Sequence, residues 1–272
     1  MKQDEFEFIS QLLKLRSGLS LTTDKIYLLE SRLLPIARVN GHHDLSGFLK
    51  VLKAKPNEKI IAEVVDAMTT NESMFFRDQK PFEQLRNILL PRISQARNGG
   101  QIRIWSAACS NGQEPYSVAM CLLEEVSKMA GFTYEIFATD ISPSVLAKAK
   151  EGIYTQFEIQ RGLPIHMLLK YFKQLNNDRW QANDRLRNMV TFHQLNLLEE
   201  TVMLGKFDII LCRNVLIYFD ESTKCNILEK MSQMLNAEGA LILGSTETIF
   251  GITDKYQPLG SERGIHILAA GR

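Results

Sequence analysis

Residues 102–117 read IRIWSAACSNGQEPYS, and this stretch decides the fold. The run Ile102–Ala107 predicts a strand, Gly112 a tight turn, and Pro115 the first turn of a helix. A strand, a glycine turn and a helix in this order are typical of nucleotide-type sites in parallel sheets. The loop lacks GxGxxG and GxxxxGK[ST], so a dinucleotide or a nucleoside triphosphate is disfavoured. Glu114 suits a ligand that carries a cation or hydroxyl groups.

A second acid ends the next predicted strand. Asp140 comes 28 residues after Gly112, following the run Tyr134–Thr139, and an acid at this place commonly accepts hydrogen bonds from ribose hydroxyls. The alternative is an N-cap of the next helix, although Ser142 can fill that position. A ribose-binding acid without a phosphate cradle indicates an adenosine ligand that lacks phosphates. S-adenosylmethionine is the obvious candidate.

The chain changes character near residue 100. Before about residue 70 the apolar spacing predicts helices throughout, which indicates a small helical bundle. After residue 100 short β-rich runs alternate with helical stretches, which predicts a mostly parallel α/β sheet covered on both faces. The run Ile265–Ala269 has no clear helix before it, so we expect an antiparallel strand there. We place an N-terminal helical domain at 1–75 and a second domain at 76–272.

An insertion interrupts the alternation between Gly152 and Asn188. It is too long for a simple connection, and Trp180 in a polar context is a weak hairpin signal. We therefore predict a small inserted β-subdomain over residues 152–188. Residues 161–190 carry six bases and two acids. This basic surface is a docking site or, equally, ordinary solvated charge.

Composition excludes several functional classes. Thirty-two basic against 31 acidic residues give a net charge of +1, so bulk charge does not mark a protein that coats nucleic acid. No apolar run is long enough to cross a bilayer, and the start MKQDEFEF does not resemble a signal peptide. The four cysteines form no CxxC pair, which favours reduced thiols, a cytoplasmic location and no metal site.

Two further loops carry candidate ligand-binding residues. The stretch TTNESMFFR (69–77) is polar and then aromatic, and Arg77 could pair with a carboxylate. A linker with a surface arginine is the alternative. The fourth strand ends in CRNVLIYF (212–219), where functional residues of open α/β sheets collect. Tyr218 and Phe219 could instead be core aromatics.

Together these stretches resemble the chemotaxis receptor methyltransferases, the CheR family. The matching pieces are TTNESMFFR (69–77), SAACSNGQEPYS (106–117), ATDIS (138–142), LNLLE (195–199) and CRNVLIYF (212–219). The family usually has Ser-Thr-Gly-Glu-Glu-Pro where this chain has SNGQEP (110–115). The acid before the proline is retained. The resemblance implies a Rossmann-like S-adenosylmethionine-dependent methyltransferase sheet with an N-terminal all-α bundle and the inserted subdomain.

The resemblance also implies residue roles. Arg77 and Tyr218 would be the catalytic residues, oriented toward the methyl-transfer centre and the acceptor. The implied cofactor-binding residues are Asn71, Ser73, Arg77, Ala107, Glu114, Asp140, Asn196, Leu197, Arg213 and Asn214. Glu114 would lie at the ammonium of the cofactor and Asp140 at its ribose. No metal is implied.

The family methylates glutamate side chains on cytoplasmic chemoreceptor helices and releases S-adenosylhomocysteine. A glutamate, with a reference pKa of about 4.3, is already an anion at neutral pH and needs no general base. This agrees with the missing Ser-His-Asp and Cys-His patterns. The alternatives are a methyltransferase of another acceptor, including nucleic acid, and a non-catalytic module that senses the cofactor.

Two surfaces are candidate receptor contacts. The exposed side of the second helix, with Lys25 and Arg32, would meet the acidic methylation helices. The inserted subdomain would dock a receptor C-terminal peptide, as its family counterpart can. Membrane insertion and nucleic-acid binding are not expected.

Overall fold

The chain divides into two units, which we describe from a computed structural model covering residues 1–176 and 178–269. The first unit comprises Met1–Thr70 and Tyr218–Thr223, and the second comprises Asn71–Ile217 and Lys224–Arg272. The sequence analysis set the boundary a few residues later, at 75.

The first unit is a helical bundle. Its helices are α1 (Gln3–Ser17), α2 (Ile26–Val39), α3 (Leu45–Ala54) and α4 (Glu58–Met68). The predicted apolar stripes are buried, with Ile9, Leu13 and Leu29 fully inaccessible, and each such side chain contributes about 2 kcal/mol. Asp44 and Asn57 cap α3 and α4 by accepting backbone N–H groups of the first turn.

Arg32 does not lie on the exposed side of α2 that we assigned to it. Its Nη1 donates to the carbonyl oxygens of Ala67, Met68 and Thr69, at 3.4, 3.0 and 2.9 Å. These carbonyls belong to the end of α4, which has no further helical turn to satisfy them. Arg32 therefore caps the C-terminal end of α4 within the bundle. Lys25 precedes α2 in a short 3₁₀ turn, Thr23–Lys25, and pairs with Asp24 at 3.2 Å.

The second unit is built on a seven-stranded sheet in the order β6-β2-β1-β7-β8-β10-β9. The strands are β1 (Gly100–Ala107), β2 (Phe132–Asp140), β6 (Val190–Gln194), β7 (Phe207–Cys212), β8 (Leu235–Leu243), β9 (Tyr256–Leu259) and β10 (Glu262–Leu268). The first five pair in parallel and β10 runs antiparallel to both β8 and β9. The antiparallel strand expected near the end of the chain is confirmed.

Helices cover this sheet and connect its strands. They are α5 (Lys80–Gln84), α6 (Leu90–Ala96), α7 (Gln113–Glu125), α8 (Pro143–Glu151) and α12 (Glu221–Met234). A π-helical turn, Leu85–Leu89, joins α5 to α6. Every residue of β7 is buried, as expected for a central parallel strand covered on both faces.

The insertion is folded. Its strands β3 (Ile153–Thr155), β4 (Phe172–Asn176) and β5 (Arg179–Ala182) form a second, antiparallel sheet in the order β3-β5-β4. Three short helices accompany it: α9 (Gln156–Gln160), α10 (Ile165–Tyr171) and α11 (Asp184–Arg187). The predicted inserted β-subdomain is thus confirmed. Its Tyr154 is fully buried, with its ring 5.0 Å from the ring of Phe75.

Candidate functional site

The carboxyl ends of the four central parallel strands form one row. Ala107 of β1 is in register with Thr139 of β2 and with Cys212 of β7, and Cys212 is in register with Leu243 of β8. The chain direction across the sheet reverses between β1 and β7, the place where open α/β sheets bind ligands. We call Ala108–Gly112 with Asp140–Ser142 the β1–β2 edge, and Arg213–Leu216 with Gly244–Glu247 the β7–β8 edge.

Strained backbone positions occur in both edges and in the segment 76–79. Six non-glycine residues of the described chain have positive φ, between 45° and 68°: Phe76, Asp78, Gln79, Ala108, Ser110 and Asn214. L-residues adopt this conformation rarely because Cβ crowds the following carbonyl. Such residues persist where their surroundings hold them in place, and they cluster at functional sites.

Asp140 holds the β1–β2 edge together. Its Oδ2 accepts the backbone N–H of the strained Ser110 at 2.8 Å, and its Oδ1 accepts the N–H of Ser142 at 3.0 Å. Ser142 is the N-cap of α8, since its Oγ accepts the N–H of Val145 at 3.3 Å. The helix cap predicted as the alternative for Asp140 is thus supplied by Ser142. Asp140 is 6% exposed.

Gly112 has the positive φ that the predicted turn requires, at 87°. A Cβ on Gly112 would come within 2.9 Å of Cβ of Ala149 and 3.1 Å of the hydroxyl of Tyr154. The side chain is therefore excluded by helix α8 and the inserted subdomain behind the loop. Tyr154 also donates its hydroxyl to the carbonyl of Asn111 at 2.7 Å, so the loop rests on the subdomain.

Arg213 links three segments through ion pairs. Its Nη1 donates to Oε2 of Glu114 at 2.9 Å, and its Nη2 donates to Oδ2 of Asp78 at 2.8 Å. Ser106 donates its Oγ to the other oxygen of Glu114 at 2.7 Å. The Arg213 side chain is 1% exposed and that of Glu114 is 13% exposed, so this is a nearly desolvated network. Nε of Arg213 is buried and finds no acceptor in the described part of the chain.

The 71–77 loop is tied to the β1–β2 edge by main-chain contacts. The carbonyl of Asn71 accepts Oγ of Ser110 at 2.9 Å and Nδ2 of Asn111 at 3.3 Å. Arg77 is half-buried, and its Nη1 donates to the carbonyl of Glu72 at 3.1 Å. The guanidinium thus folds over its own loop, which also contains the half-buried Ser73.

Asn196 and Leu197 lie in the turn after β6. The preceding Leu195 donates its N–H to the carbonyl of Asp140 at 3.0 Å, which places this turn beside the β1–β2 edge. Oδ1 of Asn196 accepts the N–H of Leu198 at 3.1 Å, while Leu197 is 9% exposed. Asp140, Arg213 and Asn214 thus belong to the two edges, and Ala107 ends a strand of the row. Asn71, Glu114 and the turn with Asn196 and Leu197 are linked to the edges by hydrogen bonds. Ser73 and Arg77 share the 71–77 loop with Asn71.

Glu247 is the main residue of the site that the sequence analysis missed. Its Oε2 accepts the N–H groups of Asn214 and Gly244, both at 2.8 Å. Its Oε1 accepts those of Val215 and Leu216, at 3.0 and 2.8 Å. One carboxylate thus fixes the whole turn after β7. An acid shortly after the β8 run, in GSTE (244–247), was the available signal.

Tyr218, the second predicted catalytic residue, belongs to the first unit. There its carbonyl accepts the N–H of Ser20 at 2.9 Å. Its role at the acceptor stays a prediction, as do the ligand contacts of all the residues above.

Buried thiols report the electrostatic character of the edges. Burial raises the pKa of Cys109 well above its usual value, and the charges of Asp140 and Glu114 raise it further. Burial likewise raises the pKa of Cys212, with added contributions from Glu247 and Glu114. Both thiols therefore stay protonated at neutral pH and are poor nucleophiles. The carboxylates that disfavour a thiolate here would favour a cationic ligand.

Two domain descriptions of one family match the chain. The CheR methyltransferase SAM-binding domain matches residues 71–265, and the CheR methyltransferase all-alpha domain matches residues 4–69. The chain belongs to the CheR methyltransferase family. It is an S-adenosylmethionine-dependent methyltransferase of chemotaxis, as the resemblance implied.

Similar proteins of this family occur in several bacteria. A chemotaxis protein methyltransferase of Vibrio parahaemolyticus is 39% identical over 97% of this chain and 96% of its own length. One of Borreliella burgdorferi is 38% identical over 92% of this chain and 89% of its own length. The solved N-methyltransferase NodS of Bradyrhizobium japonicum is a distant likeness, with a TM-score of 0.33 and 18% identity over 61% of this chain and 63% of that one.

The residues of the two edges fit S-adenosylmethionine chemically. The cofactor carries a sulfonium, an ammonium and one carboxylate, so it is a net cation. Two carboxylates, of Asp78 and Glu114, pair with one buried cation, Arg213, and a third carboxylate, of Asp140, lies near enough to raise the pKa of Cys109 together with Glu114. This excess of negative charge suits a cationic ligand. The unpartnered Nε of Arg213 is a donor that a ligand carboxylate could satisfy.

The described ranges, 1–176 and 178–269, contain no group of three or more histidine, cysteine or acidic side chains placed to hold a metal ion. Within the same ranges no helix combines the length and the apolar character needed to cross a bilayer.

Proposed function

We propose that this protein transfers the methyl group of S-adenosylmethionine to glutamate side chains of chemoreceptors, forming glutamyl methyl esters and S-adenosylhomocysteine. The observation that carries this proposal is a group of three carboxylates and one cation, in which Arg213 and Glu114 are nearly buried, Asp140 is buried and Asp78 is partly exposed. Such a site favours a sulfonium nucleoside over a phosphorylated one. Family membership supports the glutamate acceptor.

Bound S-adenosylmethionine supplies a methyl group on a positively charged sulfur. The acceptor carboxylate oxygen forms the new C–O bond while the S–C bond breaks, and the electron pair of that bond stays on the sulfur. No proton moves, because a glutamate is already ionised at neutral pH. A general base is therefore not required of this chain. Its residues have to align the reactants and exclude water, which can lower the barrier by several kcal/mol.

Each edge has a distinct part in this proposal. Glu114 and Asp140 hold the ammonium and the ribose, while Asn196 and Leu197 flank the adenine. Arg77 and Tyr218 orient the acceptor carboxylate. A very tight pair between Arg77 and that carboxylate would stabilise the ground state as well, so positioning is the more effective role. The bond of Arg77 to the carbonyl of Glu72 leaves the rest of its guanidinium fork for this purpose.

The inserted subdomain is the proposed docking site for a receptor C-terminal peptide. Arg179 on β5 and Arg185 on α11 are exposed, whereas Arg187 is half-buried and pairs with Asp184. We expect the first two to provide the charge that a peptide carboxylate would meet. Arg179→Glu combined with Arg185→Glu should then slow methylation of a full-length receptor but not of a receptor truncated before its tail. If the variant methylated the full-length and the truncated receptor at equal rates relative to wild type, the subdomain would not be a docking site for the receptor tail.

The function is tested with labelled S-adenosylmethionine and receptor cytoplasmic fragments, in the cytoplasm-like reducing conditions that the proposal assumes. The expected product carries label that mild alkali releases as methanol, because glutamyl esters are base-labile. Label that survives alkali as an amine or amide methyl, or label found in nucleic acid, would overturn the assignment. Tight S-adenosylhomocysteine binding without turnover on any receptor fragment would indicate a sensing module instead.

A further inference from the structure

We infer that a cleft beside the β7–β8 edge binds carboxylate side chains that flank the acceptor glutamate, and so selects acidic acceptor segments. The cleft has a volume of about 690 Å³ and lies within the second unit. This inference rests on the proposed function. It concerns residues that none of the predicted roles includes.

Three segments wall the cleft. The first is the β8 end with the turn that follows it, the second is the β9–β10 turn, and the third is the start of α5 with Asp78. The lining residues that matter here are Asp78, Lys80, Glu247, Glu262, Arg263 and His266. The β9–β10 turn is shaped by a break in register between Glu262 and His266 and by positive φ at Gly260 and Gly264.

The cleft adjoins the candidate reaction centre through shared residues. Asp78 lines it and pairs with Arg213, which pairs in turn with Glu114. Glu247 lines it and holds Asn214. A segment seated in the cleft therefore runs past the groups proposed to hold the cofactor.

The acids of the cleft are already engaged. Asp78 receives Arg213 at 2.8 Å, and Glu247 receives four backbone N–H groups. Glu262 accepts Nε2 of Gln84 at 2.8 Å. Glu247 is stabilised by four backbone donors and Asp78 by a guanidinium that it shares with Glu114, whereas Glu262 receives one neutral amide. These donors weaken, without cancelling, the repulsion of an incoming anion.

The bases of the cleft are not engaged. Neither Lys80 nor Arg263 has an ion-pair partner in the described ranges, and both are exposed. The backbone of Arg263 is fixed, because its carbonyl accepts Nε2 of the buried Gln84 at 3.2 Å. His266 adds an Nδ1 that is buried without a partner among the described residues. The cleft thus presents two exposed cations that have no ion-pair partner among the described residues, beside acids that are already hydrogen-bonded. These two cations are the groups with which the carboxylates of an incoming segment would pair.

A carboxylate-bearing protein segment fits this chemistry better than a phosphate does. The cationic groups are held on separate walls and line a long volume, whereas a phosphate site gathers several donors at one point. The proposed acceptor is itself a glutamate on a helix. Neighbouring acids one or two turns away would reach the cleft while that glutamate is at the reaction centre.

The test compares two charge reversals of equal size. Lys80→Glu with Arg263→Glu removes the cations of the cleft. Lys150→Glu with Lys255→Glu is the control, since both lysines are exposed and neither lines the cleft. Methylation of a receptor fragment is measured as initial rate against acceptor concentration, at low and at moderate salt, with S-adenosylhomocysteine affinity determined by calorimetry.

We expect the cleft variant to raise the KM for the acceptor about tenfold at low salt. Its affinity for S-adenosylhomocysteine should stay within about twofold of wild type, which also shows that it is folded. Added salt should raise the wild-type KM and have little effect on the variant. The control variant should behave as wild type.

An unchanged acceptor KM in the cleft variant, with methyl ester still formed, would overturn the inference and leave the proposed function intact. An equal rise in the control would overturn it as well, because bulk charge would then account for the effect. Absence of alkali-labile product from the wild type would instead defeat the proposed function. Lys80→Gln with Arg263→Gln should give an intermediate KM if charge is the cause.

Discussion

The two edges of the sheet are held together by contacts that span different distances along the chain. At the β1–β2 edge the strained Ser110 and the helix cap Ser142 both bond to Asp140, at sequence separations of 30 and 2 residues. At the β7–β8 edge Arg213 reaches back 135 positions to Asp78, and Asn214 depends on Glu247, 33 positions ahead. The β1–β2 edge is joined within 30 positions of the chain, whereas the β7–β8 edge also depends on an ion pair that spans 135 positions. The proposed cofactor contacts include Asp140 of the first edge and Arg213 and Asn214 of the second, and the proposed acceptor lies beside the second.

The largest loss of cofactor affinity is expected on substitution of Arg213, which pairs with Glu114 and Asp78. Arg213→Ala leaves the mostly buried carboxylate of Glu114 and the partly exposed carboxylate of Asp78 without their cation. Because solvent screens Asp78, we expect a stability loss of about 2 kcal/mol, below that of a fully buried network. We expect no measurable S-adenosylhomocysteine binding by calorimetry and a clearly lowered melting temperature.

Arg213→Lys is the control for this variant. An ammonium keeps the charge but lacks the fork that reaches both carboxylates at once, so intermediate affinity is expected. If Arg213→Ala bound S-adenosylhomocysteine as tightly as wild type, the two edges would be independent and the network would be structural only.

The next largest effect is expected on substitution of Glu247, and it should fall on kcat and not on cofactor affinity. Glu247→Gln keeps one acceptor oxygen but turns an amide toward backbone N–H groups that the carboxylate now receives. The turn after β7 should shift, and small misplacements of reacting groups lower rates on the order of a hundredfold. We expect kcat to fall by about that factor while S-adenosylhomocysteine affinity changes little, as measured by steady-state kinetics and calorimetry.

Asp140→Ala should show the reverse pattern. It removes the predicted ribose contact and the support of Ser110, so the loss should fall on cofactor affinity. A Glu247→Gln variant that lost cofactor affinity as severely as Asp140→Ala would erase the functional distinction between the edges.

A smaller effect is expected from the subdomain beneath the β1–β2 edge. Tyr154 and Tyr116 are both fully buried, and each donates its hydroxyl to a carbonyl, at 2.7 Å to Asn111 and 2.8 Å to Ala149. Each phenylalanine substitution removes one hydrogen bond, worth about 1 kcal/mol. Only Tyr154→Phe releases the proposed cofactor loop.

We therefore expect a similar loss of thermal stability in both variants. Only Tyr154→Phe should weaken S-adenosylhomocysteine binding, by about fivefold. Equal affinities in the two variants would show that the subdomain supports the fold and does not tune the loop.

The smallest effect concerns one thiol at each edge. Burial raises the pKa of Cys109 and of Cys212, so both remain protonated as pH rises through 8 to 9, where an ordinary thiol begins to ionise. We expect neither to react with a thiol reagent at pH 8 until denaturant is added. Cys225, whose pKa is also raised but whose thiol is partly exposed, should react slowly under the same conditions. Mass spectrometry of the labelled peptides measures this, and rapid native labelling of Cys109 alone would reveal a mobile β1–β2 edge.

The same contrast explains what could be predicted from the sequence. The strand, the turn at Gly112 and the acid at Asp140 form contiguous patterns whose periodicity and turn chemistry act locally. The late antiparallel strand followed from the absence of a helix before it. These predictions are confirmed by the sheet order and register.

The remaining features depend on tertiary contacts. The four hydrogen bonds of Glu247 exist only because β8 lies beside β7 in register. Arg32 looked like an exposed base on helical spacing, but the end of α4 provides carbonyls that it satisfies. The turn at Gly112 was predicted from the sequence, but the crowding by Ala149 that excludes a side chain there was not. No local pattern contains these neighbours.

The six L-residues with positive φ, in the two edges and in the segment 76–79, lower the thermal stability of the folded chain. Each left-handed L-residue costs about 1 kcal/mol, a sizeable share of the 5–15 kcal/mol that typically holds a domain folded. Replacing Ala108 by glycine would relieve one such cost without deleting a polar group, although glycine loosens the unfolded chain. Substitutions that raise the thermal stability of this enzyme are therefore expected at positions close to the proposed site, where a change also endangers activity.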